Sequence, residues 1–288
     1  MDLDLRRVVR PASLPEAVAL LAAEPGARAL AGGTDLVVQL RDGRRRAEVL
    51  VDLGRLPLDR IAETGGELEI GALATMATVA ADPLVGERCP AVAEAAGLVG
   101  AWPVQCRATL GGNLANASPA ADTAPPLLVA GARAVIASPH GERTVPLEEF
   151  FLGPGRTVLA AGDLLVAVRV PREEAPAGAH RVERFTKVGA RREQIIATVS
   201  LAGRLWVAEG RIAACRIALG AVAPTPVRAL GVEAFLAGRT PDAATRRRAV
   251  ELLQRDIAPI DDVRAPARYR RLAAAVLLDR LLKEVTSE

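Results

Sequence analysis

The sequence predicts a mixed α and β protein of two domains, and three observations carry that expectation. Helix-like and strand-like stretches alternate in short units through the N-terminal half, with glycine or proline at nearly every boundary. A polar, proline- and glycine-rich stretch, Pro171–Gly178, marks a linker and puts the domains at 1–172 and 179–288. Beyond it, a long hairpin precedes two arginine-rich amphipathic helices.

Taken in order, Ser13 with Glu16 three residues on forms a capping box, and Val18, Leu20 and Leu21 suit a helix that closes around Pro25-Gly26. Ala27–Ala31 reads as a short strand. After the Gly65-Gly66 turn, Glu67–Ala72 alternates as a strand and Thr75–Ala81 suits a short helix stopped by Asp82-Pro83. Arg107–Leu110 reads as another strand. Asp122 is placed to cap a helix running to about Ala130, with Gly131 as terminator, before a strand at Ala132–Ala137 and the turn Ser138–Gly141. In the second domain, Arg204–Leu219 reads as the hairpin, turning at Glu209-Gly210, with helices at Asp242–Asp256 and Ala265–Val285. No internal repeat or low-complexity tract interrupts this order.

Of 288 residues, half are hydrophobic and a quarter charged, enough apolar material for a substantial core. The formal charge of +3 makes no strong field for nucleic acid or an acidic membrane surface. The arginine clusters Arg44–Arg46 and Arg246–Arg248 read as solvated surface. Cys89, Cys106 and Cys215 are too few and too scattered for a disulfide framework or a metal ligand set, so no metal is expected in this chain. No apolar run approaches the roughly 20 residues of a membrane span, which makes the reduced cytoplasm the expected compartment.

Two short motifs carry chemistry. Ala31, Gly32, Gly33, Thr34, Asp35 and Leu36 follow a strand and open a helix. Paired glycines allow close backbone approach, and the uncapped N–H groups of a new helix favour phosphate. The plain alternative is a glycine turn with Thr34 as helix cap. The spacing is neither G-x-G-x-x-G nor G-x-x-x-x-G-K-[ST], so the ordinary dinucleotide and P-loop readings fail. The second motif, Thr109, Leu110, Gly111, Gly112 and Asn113, also ends a strand in this reading. Asn116, Ser118 and Asp122 follow it closely and can hydrogen-bond a sugar or polyol. Two such loops in one half of a chain suit the two phosphates of a dinucleotide. His140 and His180 belong to no nucleophile or metal motif.

The segments AGGTDLVVQLRDG (31–43), RATLGGNLANASPAADTAPPLL (107–128), KVGARREQIIA (187–197), ALGAVAPTPVRA (218–229) and DIAPIDDVRAPARYRR (256–271) resemble, in order, the FAD-binding subunits of the molybdenum hydroxylases. The likeness runs almost end to end, and TLGGN followed by ASPAAD is its most specific part. It implies an α+β fold: a vanillyl-alcohol-oxidase (PCMH)-type FAD-binding domain of two α+β subdomains, about 1–55 and 56–172, plus a C-terminal α+β domain. It also implies that 31–36 and 109–113 cradle the FAD pyrophosphate, and that Asn116, Ser118 and Asp122 bind phosphate or ribityl groups. Leu165 would pack near the flavin ring and Lys187 would approach it from the C-terminal domain, unless Lys187 is a plain surface lysine. Where relatives commonly carry asparagine this chain has Cys106, read as a small buried thiol.

The implied function is electron transfer. A partner large subunit with a molybdenum cofactor would oxidise the substrate, a partner small subunit with 2Fe-2S clusters would relay electrons, and FAD on this chain would pass them to NAD, a quinone or oxygen, in a dimer of heterotrimers. Two alternatives stand beside it: a self-sufficient FAD-dependent oxidoreductase of the same fold, and a non-catalytic scaffold. No catalytic side chain is assigned here, because a flavin brings its own redox chemistry.

Overall fold

The computed structural model describes residues 5–191 and 194–285. Met1–Asp4, Arg192 and Glu193 of the 187–197 segment, and Thr286–Glu288 of the expected 179–288 unit lie outside the described residues.

The chain opens with β1 (Arg7–Val9), α1 (Leu14–Ala23), β2 (Ala27–Leu30), α2 (Leu36–Arg41) and β3 (Val49–Asp52), whose strands form a parallel sheet in the order β1-β3-β2. The expected capping box sets the start of α1. Ser13 Oγ accepts from Glu16 N at 3.3 Å, and the Glu16 carboxylate accepts from Ala12 N at 2.7 Å.

A second, antiparallel sheet is built from β4 (Ile61–Thr64), β5 (Glu67–Gly71), β6 (Arg133–Ser138) and β7 (Gly141–Pro146), joined after the small pair β8 (Phe151–Gly153) and β9 (Arg156–Thr157) by β10 (Leu164–Val170). Its order is β4-β5-β10-β6-β7, so the last strand of the half lies at the centre. Both faces are covered. Ala134, Ile136, Leu165 and Val168 pack among α3 (Met76–Ala81), α4 (Pro83–Arg88), α5 (Pro90–Gly97), α7 (Leu110–Ala115) and α8 (Ala124–Val129). Val135, Ala137, Leu164 and Val166 pack instead with Ala17, Val18 and Val51 of the first sheet layer. Alternation of side chains along a strand divides each strand between two cores, which is why β10 reads as a continuous apolar run. A bulge between Leu165 and Ala167 turns Val166 and Ala167 to the same core. Two further short helices, α6 (Trp102–Gln105) and α9 (Leu147–Phe150), complete this half.

The C-terminal part is an antiparallel sheet, β11 (His180–Val188), β12 (Val199–Ala208), β13 (Arg211–Gly220) and β14 (Val227–Arg228), with α10 (Leu230–Leu236), α11 (Ala243–Asp256) and α12 (Ala267–Glu284). Val199, Leu201, Leu205 and Ile217 face those helices. Phe185, Ala202 and Ala218 point the other way and join the core that contains α5 and α8. At this seam Arg204, 2% exposed, donates to Glu183 at 2.7 Å, to Glu173 at 3.1 Å and to the Arg88 carbonyl at 3.2 Å.

Four expectations are corrected. Arg107–Leu110 is no strand: Thr109 makes a single bridge to Thr75, and the chain coils at once into α7 because Thr109 Oγ1 caps Gly112 N at 3.1 Å. Only the first glycine motif therefore follows a strand. Asp122 does not cap α8; its carboxylate is taken by Lys187, since a charge-assisted bond outcompetes a neutral N–H. Cys106 is exposed at the end of α6, with Cys89 the fully buried thiol. Thr34 is not a cap either: the N-cap position of α2 is Asp35, which makes no side-chain capping bond.

Candidate functional site

A cleft of about 740 Å³ opens where β2 and the start of α2 meet α7, the loop after it, and Arg191, Gln194, Ile195 and Ile196 of the C-terminal part. Its wall includes Ala31, Gly32, Gly33, Thr34, Asp35 and Leu36 from the first motif, and Thr109, Gly111, Gly112 and Asn113 from the second. Asn116, Ser118, Asp122 and Leu165 line it as well. Lys187 does not.

The two motifs meet through their backbones. A Cβ on Gly32 would lie 1.7 Å from the Arg107 carbonyl oxygen, so only glycine lets the first loop rest against the chain entering the second. Among the described residues, nothing accepts a hydrogen bond from the N–H of Gly32, Gly33, Thr34 or Asp35. Four consecutive amides on the cleft wall are thus free to meet an anion.

The second motif is arranged otherwise. Leu110 N donates to Ala74 O at 3.0 Å, Gly111 N to Ala72 O at 2.8 Å and Gly112 N to Thr109 Oγ1. The amides of Leu110 to Asn113 are spent on the protein, and a Cβ on Gly111 would strike Ala72 at 2.6 Å. This loop offers shape and side chains. Asn113 Oδ1 accepts from Thr123 at 2.6 Å, and Asn116 Oδ1 accepts at 3.2 Å from Gln39, which also donates to Asp35 at 2.6 Å.

Asp122, 7% exposed, uses one carboxylate oxygen for Lys187 Nζ at 2.6 Å; its other oxygen, Oδ1, is buried without a partner. Burial pushes its pKa up to about 6, against the opposing pull of Lys187. The Lys187 ammonium also donates to Leu98 O at 3.1 Å and its side chain is 5% exposed, so it is neither a surface lysine nor part of the cleft wall. Across the cleft, burial works against charge on Asp163. Donation from Arg143 at 2.7 Å and from Ala160 N at 2.8 Å outweighs it and holds that carboxyl below its ordinary range.

Residues 3–173 match the family described as the FAD binding domain in molybdopterin dehydrogenase, and 184–285 match the CO dehydrogenase flavoprotein C-terminal domain. The chain is 33% identical to the xanthine dehydrogenase FAD-binding subunit of Escherichia coli O157:H7, over 97% of this chain and 94% of that protein. It belongs to the FAD-binding subunits of the xanthine and carbon monoxide dehydrogenase family. Solved structures agree. Carbon monoxide dehydrogenase from Hydrogenophaga pseudoflava has a chain that superposes with a TM-score of 0.93 at 32% identity, covering 100% of this chain and 99% of that one. Quinoline 2-oxidoreductase from Pseudomonas putida 86 gives 0.91 at 33%, with the same coverage.

The cleft of this FAD-binding subunit suits its cofactor. Four free amides match a diphosphate, the orphaned Asp122 oxygen matches a hydroxyl donor, and the volume lies within the roughly 300–1,000 Å³ of ligand sites. When bound, FAD supplies the redox chemistry, and the protein contributes binding, orientation and electrostatics. Sequence reasoning missed several wall residues. Gln39 lies four residues beyond Asp35 on one helix face, a spacing that could have revealed it. Arg45 belongs to the cluster read as solvated surface, yet lines the cleft, as does Arg28. Ile195 and Ile196 lie in the 187–197 segment that carries the resemblance but were not singled out, and Asp163 carried no local signal.

Proposed function

We propose that this subunit passes electrons through FAD within a molybdenum hydroxylase complex, from 2Fe-2S clusters of a small partner to NAD, a quinone or oxygen. The molybdenum cofactor belongs to a large partner, and the assembly is a dimer of heterotrimers in the cytoplasm. The observation that carries the reading is the joining of two glycine motifs at the Gly32–Arg107 contact into one cleft with four free amides. Support for the assembly comes from the relatives, which are named as subunits or medium chains of dehydrogenases.

In this reading 1–172 forms the FAD-binding unit, with subdomains about 1–55 and 56–172, and 179–288 forms its companion. Ala31 to Leu36 cradle the pyrophosphate, which meets the free amides of Gly32 to Asp35. Thr109 to Asn113 shape the opposite wall, and Asn116, Ser118 and Asp122 meet the phosphate or ribityl groups. Leu165 packs against a ring. Among the described residues no helix is long and apolar enough to cross a membrane.

The test is purification after co-expression with the neighbouring genes, followed by an absorption spectrum, identification of the released cofactor and of the co-purifying chains. Flavin bands, released FAD, and molybdenum and iron in the partners are expected. FAD without partners would favour a self-sufficient oxidoreductase. Absence of flavin after reconstitution would leave only the scaffold.

A further inference from the structure

Lys187 and Asp122 stand on opposite sides of the domain seam. Lys187 lies on β11, paired across the sheet with Ser200, and Asp122 closes the loop that follows α7. Two of the three N–H bonds of the ammonium go to the N-terminal half, one to Asp122 Oδ2 and one to Leu98 O. Both ions are nearly out of water, with side chains 5% and 8% exposed. A carboxylate so buried is costly without a counter-charge, and the usual escape is to take up a proton. The pair also divides the carboxylate: Oδ2 serves the lysine, while Oδ1 is buried, unpartnered and carried by a residue of the cleft wall.

We propose that Lys187 is a positioning residue for the cofactor: it keeps Asp122 charged and turned with Oδ1 free, so that FAD retention depends on the docked C-terminal sheet. The proposal rests on the FAD reading of the cleft. It differs from a direct contact between Lys187 and the flavin, because Lys187 acts through Asp122.

Among the described residues, Lys187 is the one charge found to act on Asp122. Other ionisable groups near it are engaged elsewhere. On the cleft wall, Asp163 is held by Arg143, Asp35 by Gln39, and Arg191 donates to Gln194 O. Arg28 and Arg45 complete the charged groups of that wall. On α5, which packs against β11, the Glu94 carboxylate accepts from Phe185 N. Ser200, opposite Lys187, is neutral. With Lys187 in place, burial sets the Asp122 pKa at about 6. Removing the ammonium takes away the opposing pull, so protonation of Asp122 moves to higher pH, and a protonated carboxyl loses the charge-assisted acceptor.

The experiment uses the full-length chain, stripped of cofactor and titrated with FAD by flavin fluorescence from pH 5.5 to 9. Wild type should bind evenly above neutrality and weaken as the pH falls through about 6. Lys187→Met should move that fall upward by about one unit or more, a loss in affinity at pH 7 of about twofold for one unit and about tenfold for two, regained on raising the pH. Lys187→Arg should restore the wild-type profile. Asp122→Asn should bind weakly at every pH, and adding Lys187→Met to it should change the affinity less than about twofold, the signature of two residues acting as one. Should Lys187→Met not fold, Lys187→Gln carries the same comparison. Equal losses from Lys187→Met in both backgrounds, with no shift in the pH profile, would show direct contact and overturn the proposal. So would a lowered thermal midpoint with unchanged FAD binding. A wild-type chain that binds no FAD at any pH refutes the functional reading itself, a separate result.

Discussion

Replacing Gly32 with alanine probes the point on which the cleft depends. The added Cβ would sit 1.7 Å from the Arg107 carbonyl oxygen and 2.6 Å from its carbon, both backbone atoms that cannot swing aside. Real contacts of this kind stay beyond about 3 Å, so the loops must part by roughly 1.3 Å. That retreat carries the free amides of Gly33, Thr34 and Asp35 with it. A misplacement of about 1 Å in a positioned site costs about 100-fold, near 2.7 kcal/mol of binding. Gly32→Ala should therefore raise the FAD dissociation constant about 100-fold, read by fluorescence titration of the stripped chain. Gly112→Ala is the graded comparison. Its Cβ would meet only the Thr109 hydroxyl, at 2.9 Å, a side-chain group that can turn aside at the cost of its capping bond to Gly112 N, so a loss of tenfold or less is expected. Wild-type affinity in Gly32→Ala, with an unchanged thermal midpoint, would refute the assignment of the pyrophosphate to this loop.

Other outcomes follow from the same geometry. Arg204→Met leaves the Glu183 carboxylate, 1% exposed, with the Ala91 N–H at 3.2 Å and Arg181 at 3.8 Å; a loss of about 3–5 kcal/mol and about 10 °C in Tm is expected, partly recovered by adding Glu183→Gln. A loss under about 1 kcal/mol would mean that the seam is not pinned there. Asp163 is held below its ordinary pKa, so its contribution is present above the unfolded carboxylate range and is lost as the pH falls through the folded value. Asp163→Asn should lower Tm by a few degrees at pH 7, and its curve should converge on wild type below about pH 4; a gap that persists in acid would contradict this. Of the three thiols, burial pushes Cys89 and Cys215 up to about 12 while Cys106 is exposed, so one fast equivalent should react with a thiol reagent in the isolated native chain and vanish in Cys106→Ser.

Features fixed by near neighbours were readable before the structure. The hairpin turn at Glu209-Gly210 puts both residues at positive φ, 50° and 69°, a demand that short-range sequence announces. The caps at Ser13 and Asp242 are likewise local, each accepting from the N–H three residues on. What escaped depends on distant partners. Asp122 looked like a helix cap because its counter-ion lies 65 residues away, on another sheet. Arg107–Leu110 looked like a strand because only packing against Ala72 and Ala74 shows that its amides are spent before α7 begins. The glycine motifs were legible as motifs, and their likeness to known subunits named the cofactor. Their division of labour, free amides on one loop and shape on the other, required the hydrogen-bond partners. Arg45 was lost among surface arginines because composition cannot say which of three neighbours turns inward.

The polar linker has a consequence for how the two halves can move. Its composition suggests a slack tether, yet Glu173 within it is gripped by Arg204 at 3.1 Å and also by Arg216, both from the C-terminal sheet. The segment therefore behaves as a staple. Insertions should be absorbed on one side of Glu173 and resisted on the other: added residues near Gly178 lengthen a free span, whereas the same residues between Val170 and Glu173 would pull the staple out of its seat. Any hinge opening between the halves has to break those ion pairs first, so the subunit is built to present its cleft from a single rigid frame.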